Sequence, residues 1–182
     1  MKQLKNSGFT LIELVISILI IGIIGALSTR MLFQGAGIYF KQTDRQKLTS
    51  QSRSAFWRIQ KDIRNQSNAS NFNSSDSDTL FLVDIENQSR KYCARDNGKL
   101  FMLKNSNSYI IADSINPAKT NFSYYNSNFE NITPSSGNML NATNVRLTKI
   151  DLFFNRFSDT LSLSSYVYPQ NFRFGQKKSY HD

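Results

Sequence analysis

Hydrophobic positions fall along this chain in three regimes. Residues 9–27 form an almost unbroken apolar run whose only charged member is Glu13. At about 19 residues the run has the length of a membrane-spanning helix. Further on, Leu48, Ser52, Ala55, Phe56, Ile59 and Ile63 recur three and four positions apart. That spacing predicts one apolar stripe on a helix that continues to about residue 66. Gly35 and Gly37 interrupt the pattern between these two regimes and predict a bend. Gly22 and Gly25, inside the apolar run, permit close helix approach or local loosening.

The third regime is short and alternating. Residues 65–78 are rich in Asn, Ser and Asp without a hydrophobic period and predict a loop. Strands are expected at 79–85, 90–95, 99–104, 109–115 and 121–125. Asp96-Asn97-Gly98 between the second and third is a hairpin signal. Residues 126–144 are again Asn- and Ser-rich, with Pro134 and Gly137, and predict a surface loop. Ile150, Leu152 and Phe154 share one face of a strand at 146–157, and Leu161, Leu163 and Val167 alternate in the next. Pro169 ends the pattern, and residues 170–182 are polar and expected to fray. The fold class expected is α+β: a long N-terminal helix, its first half transmembrane, packed on an antiparallel β-sheet domain.

The start of the chain differs from an ordinary export signal. Lys2 and Lys5 precede the apolar run and, by the positive-inside rule, hold the leader in the cytoplasm. Arg30, Lys41, Arg45 and Lys47 beyond the run blunt that asymmetry. A glycine, Gly8, stands at the near boundary of the run, whereas a secretory signal has its small-residue cleavage site beyond the far one. Glu13 lies near the top of the span, where a carboxylate costs about 2.5–3.5 kcal/mol on insertion scales. It follows Phe9 by four residues and so shares its helix face.

Gly8-Phe9-Thr10-Leu11-Ile12-Glu13 resembles the processing motif of type IV prepilins and pseudopilins, and the resemblance extends over about the first 27 residues. It implies that a membrane prepilin peptidase cuts between Gly8 and Phe9 and that the new Phe9 amine is N-methylated. It implies that the apolar segment anchors the subunit in the bacterial inner membrane, with the rest extracytoplasmic, and then packs in the core of a filament. Glu13 would pair with the Phe9 ammonium of a neighbouring subunit, since a carboxylate and an ammonium that are each costly in lipid neutralise one another. The expected division is a leader at 1–8, a membrane and filament-core helix at 9–29, the soluble half of the helix at 30–66, and a β-rich domain at 67–182. The helix end at 58–65, followed by several strands and a late strand pair, is more loosely similar to larger minor pilins and J-type minor pseudopilins.

Composition sharpens this in a few places. The chain has 182 residues, 40% hydrophobic, with a mean hydropathy of −0.41, so the apolarity is concentrated at the N-terminus and one small domain remains beyond it. Loss of Lys2 and Lys5 would lower the basic side chains from 22 to 20 against 13 acidic ones. A basic surface suits a solvated face, acidic partner subunits, anionic membrane lipid or nucleic acid. Arg45, Lys47, Arg53, Arg58, Lys61 and Arg64 lie largely off the apolar stripe, as a solvated face or as one that binds an anionic partner. The single cysteine, Cys93, excludes an internal disulfide and weakens a major-pilin reading, since many major pilins close a C-terminal loop with one. Its setting in a strand predicts a buried core residue, the alternative being an intermolecular bridge or a reactive thiol.

No catalytic constellation is legible. The only histidine is His181, and no phosphate-binding Gly loop or Ser-centred elbow is present. Asp76 and Asp78 without a Gly turn and a distal acid make a weak calcium site. The expectation is a non-enzyme without cofactor or metal, itself the substrate of a peptidase and methyltransferase. The function expected is a minor pilin-like subunit for assembly, priming or tip formation of a type IV pilus. The alternatives are a minor pseudopilin of type II secretion, a major pilin, or a tip module binding DNA or surfaces. Partners would be other pilin or pseudopilin subunits, the peptidase and the inner-membrane assembly platform.

Overall fold

The computed structural model describes residues 9–105, 107–135, 137–157 and 159–172. The chain divides into two compact units, Met1–Asp44 and Arg45–Asp182. Helix α1 (Leu11–Arg64) supplies the described part of the first unit almost entirely and opens the second. Helical hydrogen bonding runs through Gly35 and Gly37, so the predicted bend does not break the element. Each glycine costs about 1 kcal/mol in a helix interior, but cooperative propagation through the good formers on either side carries the helix past them. In the first unit the large apolar side chains from Leu11 to Leu27 are exposed. The hydroxyls of Ser17 and Thr29 donate to the carbonyls of Glu13 at 2.7 Å and Gly25 at 2.8 Å. These two hydroxyls, one inside the run and one just beyond it, are satisfied by the helix's own backbone, as a helix in hydrocarbon requires.

In the second unit the predicted stripe is the buried face of α1. Leu48, Ser52, Ala55, Phe56, Ile59 and Ile63 are all buried, joined by Asp62. Two antiparallel meanders follow. The first is β1 (Thr79–Val83), β2 (Ser89–Arg95), β3 (Lys99–Lys104) and β4 (Asn107–Asp113), paired in chain order. The second is β5 (Asn121–Tyr125), β6 (Leu147–Arg156) and β7 (Asp159–Val167). The hairpin at Asp96-Asn97-Gly98 forms with Arg95 opposite Lys99. Gly98 takes φ +71° and donates its N–H to the Arg95 carbonyl at 3.0 Å, the left-handed position that a three-residue loop needs. One core joins the helix stripe to Leu80, Leu82, Tyr92, Leu100 and Met102 of the first sheet and to Phe122, Tyr124, Ile150, Leu152 and Phe154 of the second. Each such large side chain contributes about 1.5–3 kcal/mol relative to exposure.

Polar ties fix the helix end to the first sheet. The Tyr92 hydroxyl donates to Asp62 Oδ2, and Arg90 Nε lies 3.7 Å from the same oxygen. Arg90 Nη1 also reaches Asp84 Oδ2 at 3.0 Å. Gln66 Oε1 accepts the Val83 N–H at 2.7 Å. Burial pushes the Tyr92 phenol above its ordinary range, and the Asp62 carboxylate adds to the shift. Burial works against the Asp84 charge, but the N–H groups of Gln88 and Glu86 and the Arg90 guanidinium outweigh it and hold that carboxyl below its usual range. The two sheets are tied by Phe122 N–H to the Ser77 carbonyl at 2.8 Å and by the Tyr124 hydroxyl to the Thr79 carbonyl at 3.2 Å.

Four expectations need correction. Residues 65–78 are not a plain loop: they hold a 3-10 helix (Ala69–Ser74) capped by Asn68 Oδ1, and Phe72 is fully buried. The Asn- and Ser-rich stretch at 126–144 likewise sends Met139 and Ala142 into the core. The segment after Pro169 continues as a 3-10 helix (Gln170–Phe172), with the Phe172 ring 6.2 Å from Phe72. Cys93 is half-buried rather than core, because β2 alternates and Tyr92 takes the inward position. Phe72 packs against Tyr124 at 5.4 Å as well. Phe72→Ala is therefore expected to cost about 3–5 kcal/mol, read as a lowered denaturant midpoint for the full chain in detergent. A loss under about 1 kcal/mol would show that the segment is peripheral to the core.

Candidate processing and assembly site

The site forms where the chain enters α1. Thr10 precedes the first helical residue, and its carbonyl accepts the Leu14 N–H at 3.2 Å, which closes the first turn. Glu13 is the third helical residue. Its Oε2 accepts the Thr10 backbone N–H at 2.9 Å and the Thr10 hydroxyl at 2.8 Å. In return the Thr10 Oγ1 lies 3.4 Å from the Glu13 N–H, which donates to it. This is a reciprocal capping box, Thr-x-x-Glu, which satisfies donors that a helix N-terminus leaves unpaired. The carboxylate also faces the positive end of the helix dipole.

Thr10 is the site residue that the sequence reading passed over. The signal was there: a hydroxyl residue three positions before a glutamate, just ahead of an apolar run. Phe9, next to it, is exposed. Gly8, Lys2 and Lys5, the remaining residues of the expected processing site, lie outside the described residues, as does His181. The structure thus brings Thr10 and Glu13 together one residue from the expected new terminus.

Asp76, one of the two carboxylates of the weak calcium signal, is committed to its own backbone turn. Asp76 Oδ1 accepts the N–H groups of Asp78 at 2.9 Å and Thr79 at 2.7 Å, and so shapes the turn into β1. Among the described residues no three His, Cys, Asp or Glu side chains gather as a metal site. The largest fully buried side chains include Tyr92, Tyr124, Phe72, Phe122 and Phe154, while other aromatics, Trp57, Tyr109, Phe129 and Tyr168 among them, are exposed, so the aromatic content divides between core and surface.

A helix long and apolar enough to cross a membrane, headed by a capped glutamate and followed by antiparallel sheets, defines an α+β, pilin-like arrangement. Residues 3–29 match the family profile described as Prokaryotic N-terminal methylation motif, the signature of type IV pilins and pseudopilins. Neither a curated protein nor a solved structure shows a significant match to the chain. The motif supports a type IV pilin or pseudopilin, points to a structural subunit, and with the apolar helix fits a membrane-anchored protein.

Thr10→Ala removes the cap and costs the first turn about 1 kcal/mol. Amide hydrogen exchange at Leu11 to Leu14, measured in detergent micelles, is expected to accelerate about fivefold. Unchanged exchange would mean that the capping box does not hold the helix start.

Proposed function

We propose that this chain is a minor pilin-like structural subunit that takes part in assembly, priming or tip formation of a type IV pilus. The observation that carries the reading is the methylation motif at 3–29 laid over a helix with a single carboxylate in its apolar part. In this reading the peptidase removes residues 1–8 and Phe9 becomes the methylated N-terminus. Residues 9–29 anchor the subunit in the inner membrane and later pack against other subunits in the filament core. Residues 30–66 extend the helix, and residues 67–182 present the surfaces that make specific lateral contacts. Hydrophobic helix packing supplies cohesion. Glu13 supplies register, because a subunit gains most where its carboxylate meets the Phe9 ammonium of a neighbour.

The minor role is supported by the single cysteine, which leaves the domain without a disulfide-closed loop. The partners are other pilin or pseudopilin subunits, the prepilin peptidase that also methylates, and the inner-membrane platform.

Two measurements test this. In filaments sheared from cells, the molar ratio of this protein to co-purifying subunits is expected to be small and reproducible. A dominant ratio would make it a major pilin, and absence from fibres with mature protein in the membrane would favour a secretion pseudopilus. Glu13→Ala is expected to be cut and retained in the membrane but to enter filaments at least roughly tenfold less, since an intramembrane charge carries about 2.5–3.5 kcal/mol. Normal incorporation would remove Glu13 from the assembly account.

A further inference from the structure

The second unit carries one surface that neither the fold nor the processing site uses. Trp57, the only tryptophan of the chain, is 73% exposed on α1. At 3.6 residues per turn, Arg53, Trp57, Lys61 and Arg64 fall within an arc of about 80°. All four are exposed, on the side of the helix away from Leu48, Ile59 and Ile63. Beside Trp57 lies a depression of about 710 Å³ walled by Arg58, Lys61, Arg64, Asn65 and Gln170. Its far wall is fixed, because Asn171 Nδ2 donates to the Gln66 carbonyl at 2.9 Å.

Among the described residues the charge of this face is uncompensated. Between residues 45 and 65 the only acid is Asp62, and it is buried and committed to Tyr92 and Arg90. Among the described residues Arg53, Lys61 and Arg64 enter no ion pair. Arg58, Lys61 and Arg64 follow one another at i, i+3, a spacing at which like charges destabilise a helix. The helix dipole accounts for Lys61 and Arg64 in the last turn, but not for Arg53 and Trp57 further back. An exposed tryptophan among arginines is the composition of an interface hot spot, and an acidic partner surface would relieve the repulsion.

The occupant can be narrowed. A second copy, even without Lys2 and Lys5, would bring 20 basic against 13 acidic side chains, and pairing like face to like face would set two basic surfaces together, so self-pairing is opposed. Single-stranded nucleic acid is held by successive aromatic platforms, and this face offers one aromatic over about 16 Å of helix. Resting on the subunit reading above, we propose that Trp57, Arg53, Lys61 and Arg64 dock an acidic surface of a different pilin-like subunit in the filament.

The test uses the full chain in its own cells, with p-benzoylphenylalanine in place of Trp57 and irradiation of intact filaments. The expected result is an adduct with a protein that itself carries the N-terminal methylation motif, mapped to an Asp- or Glu-bearing peptide. The triple change R53E, K61E, R64E should cut adduct yield about tenfold, and replacing the mapped acids by lysine should restore it. These positions are exposed, and Lys61→Glu and Arg64→Glu oppose the helix dipole only at the last turn, so a melting midpoint lowered by no more than a few degrees is expected for the triple variant and checks that the loss is not unfolding. An adduct with nucleic acid or lipid, or with a peptide lacking acids, overturns the proposal. So does the absence of any adduct in filaments that contain the processed protein, which leaves the subunit reading standing. An unprocessed protein missing from filaments overturns the subunit reading, and this proposal with it.

Discussion

An ionised carboxylate one turn into an apolar run has to be answered by a donor or a cation. Glu13 is answered within its own chain, by the backbone and hydroxyl of Thr10 and by the dipole of the helix it begins. That answer is partial, because a capped carboxylate still carries its charge into hydrocarbon. The remaining charge is the physical basis for the proposed pairing with a Phe9 ammonium on a neighbour. The two roles are compatible. A carboxylate held in one place by its own cap presents a defined target, whereas a free glutamate would lose rotamer freedom on pairing.

The same helix changes character along its length, and the change sets where each unit begins. Up to Asp44 the large apolar side chains point outward all round α1, as in a segment whose surroundings are lipid or other helices. From Leu48 the apolar positions narrow to one stripe, and the opposite face turns basic. The stripe nucleates the core of the second unit, while Asp62, Tyr92, Arg90 and Asp84 form a polar tie between the helix end and the first sheet. Removing Tyr92 or Asp62 leaves its buried partner unanswered, which costs more than the contact itself is worth.

What the sequence made legible follows from where the physics is local. The stripe at 48–63 and the Gly98 hairpin were readable because a helix period and a left-handed glycine are set by near neighbours. The strands came within a few residues for the same reason. Phe72 and Phe172 were missed because each lies in a 3-10 turn too short to show a period, and Met139 because the two apolar residues Met139 and Leu140 stand in an Asn- and Ser-rich stretch without one. The Tyr92 to Asp62 contact spans 30 positions, and no local pattern announces it. At the N-terminus, the residues that carry the family resemblance were read directly, while Thr10 escaped as an unremarked member of that motif. Its spacing to Glu13 signals a capping box, and its partner distances show that the box is formed.

The most direct test of the account is the mass of the N-terminal peptide of this protein recovered from sheared filaments. The account predicts a chain that begins at Phe9 with one added methyl group on its amine. A chain that still begins at Met1, or one cut beyond the apolar run, would contradict it.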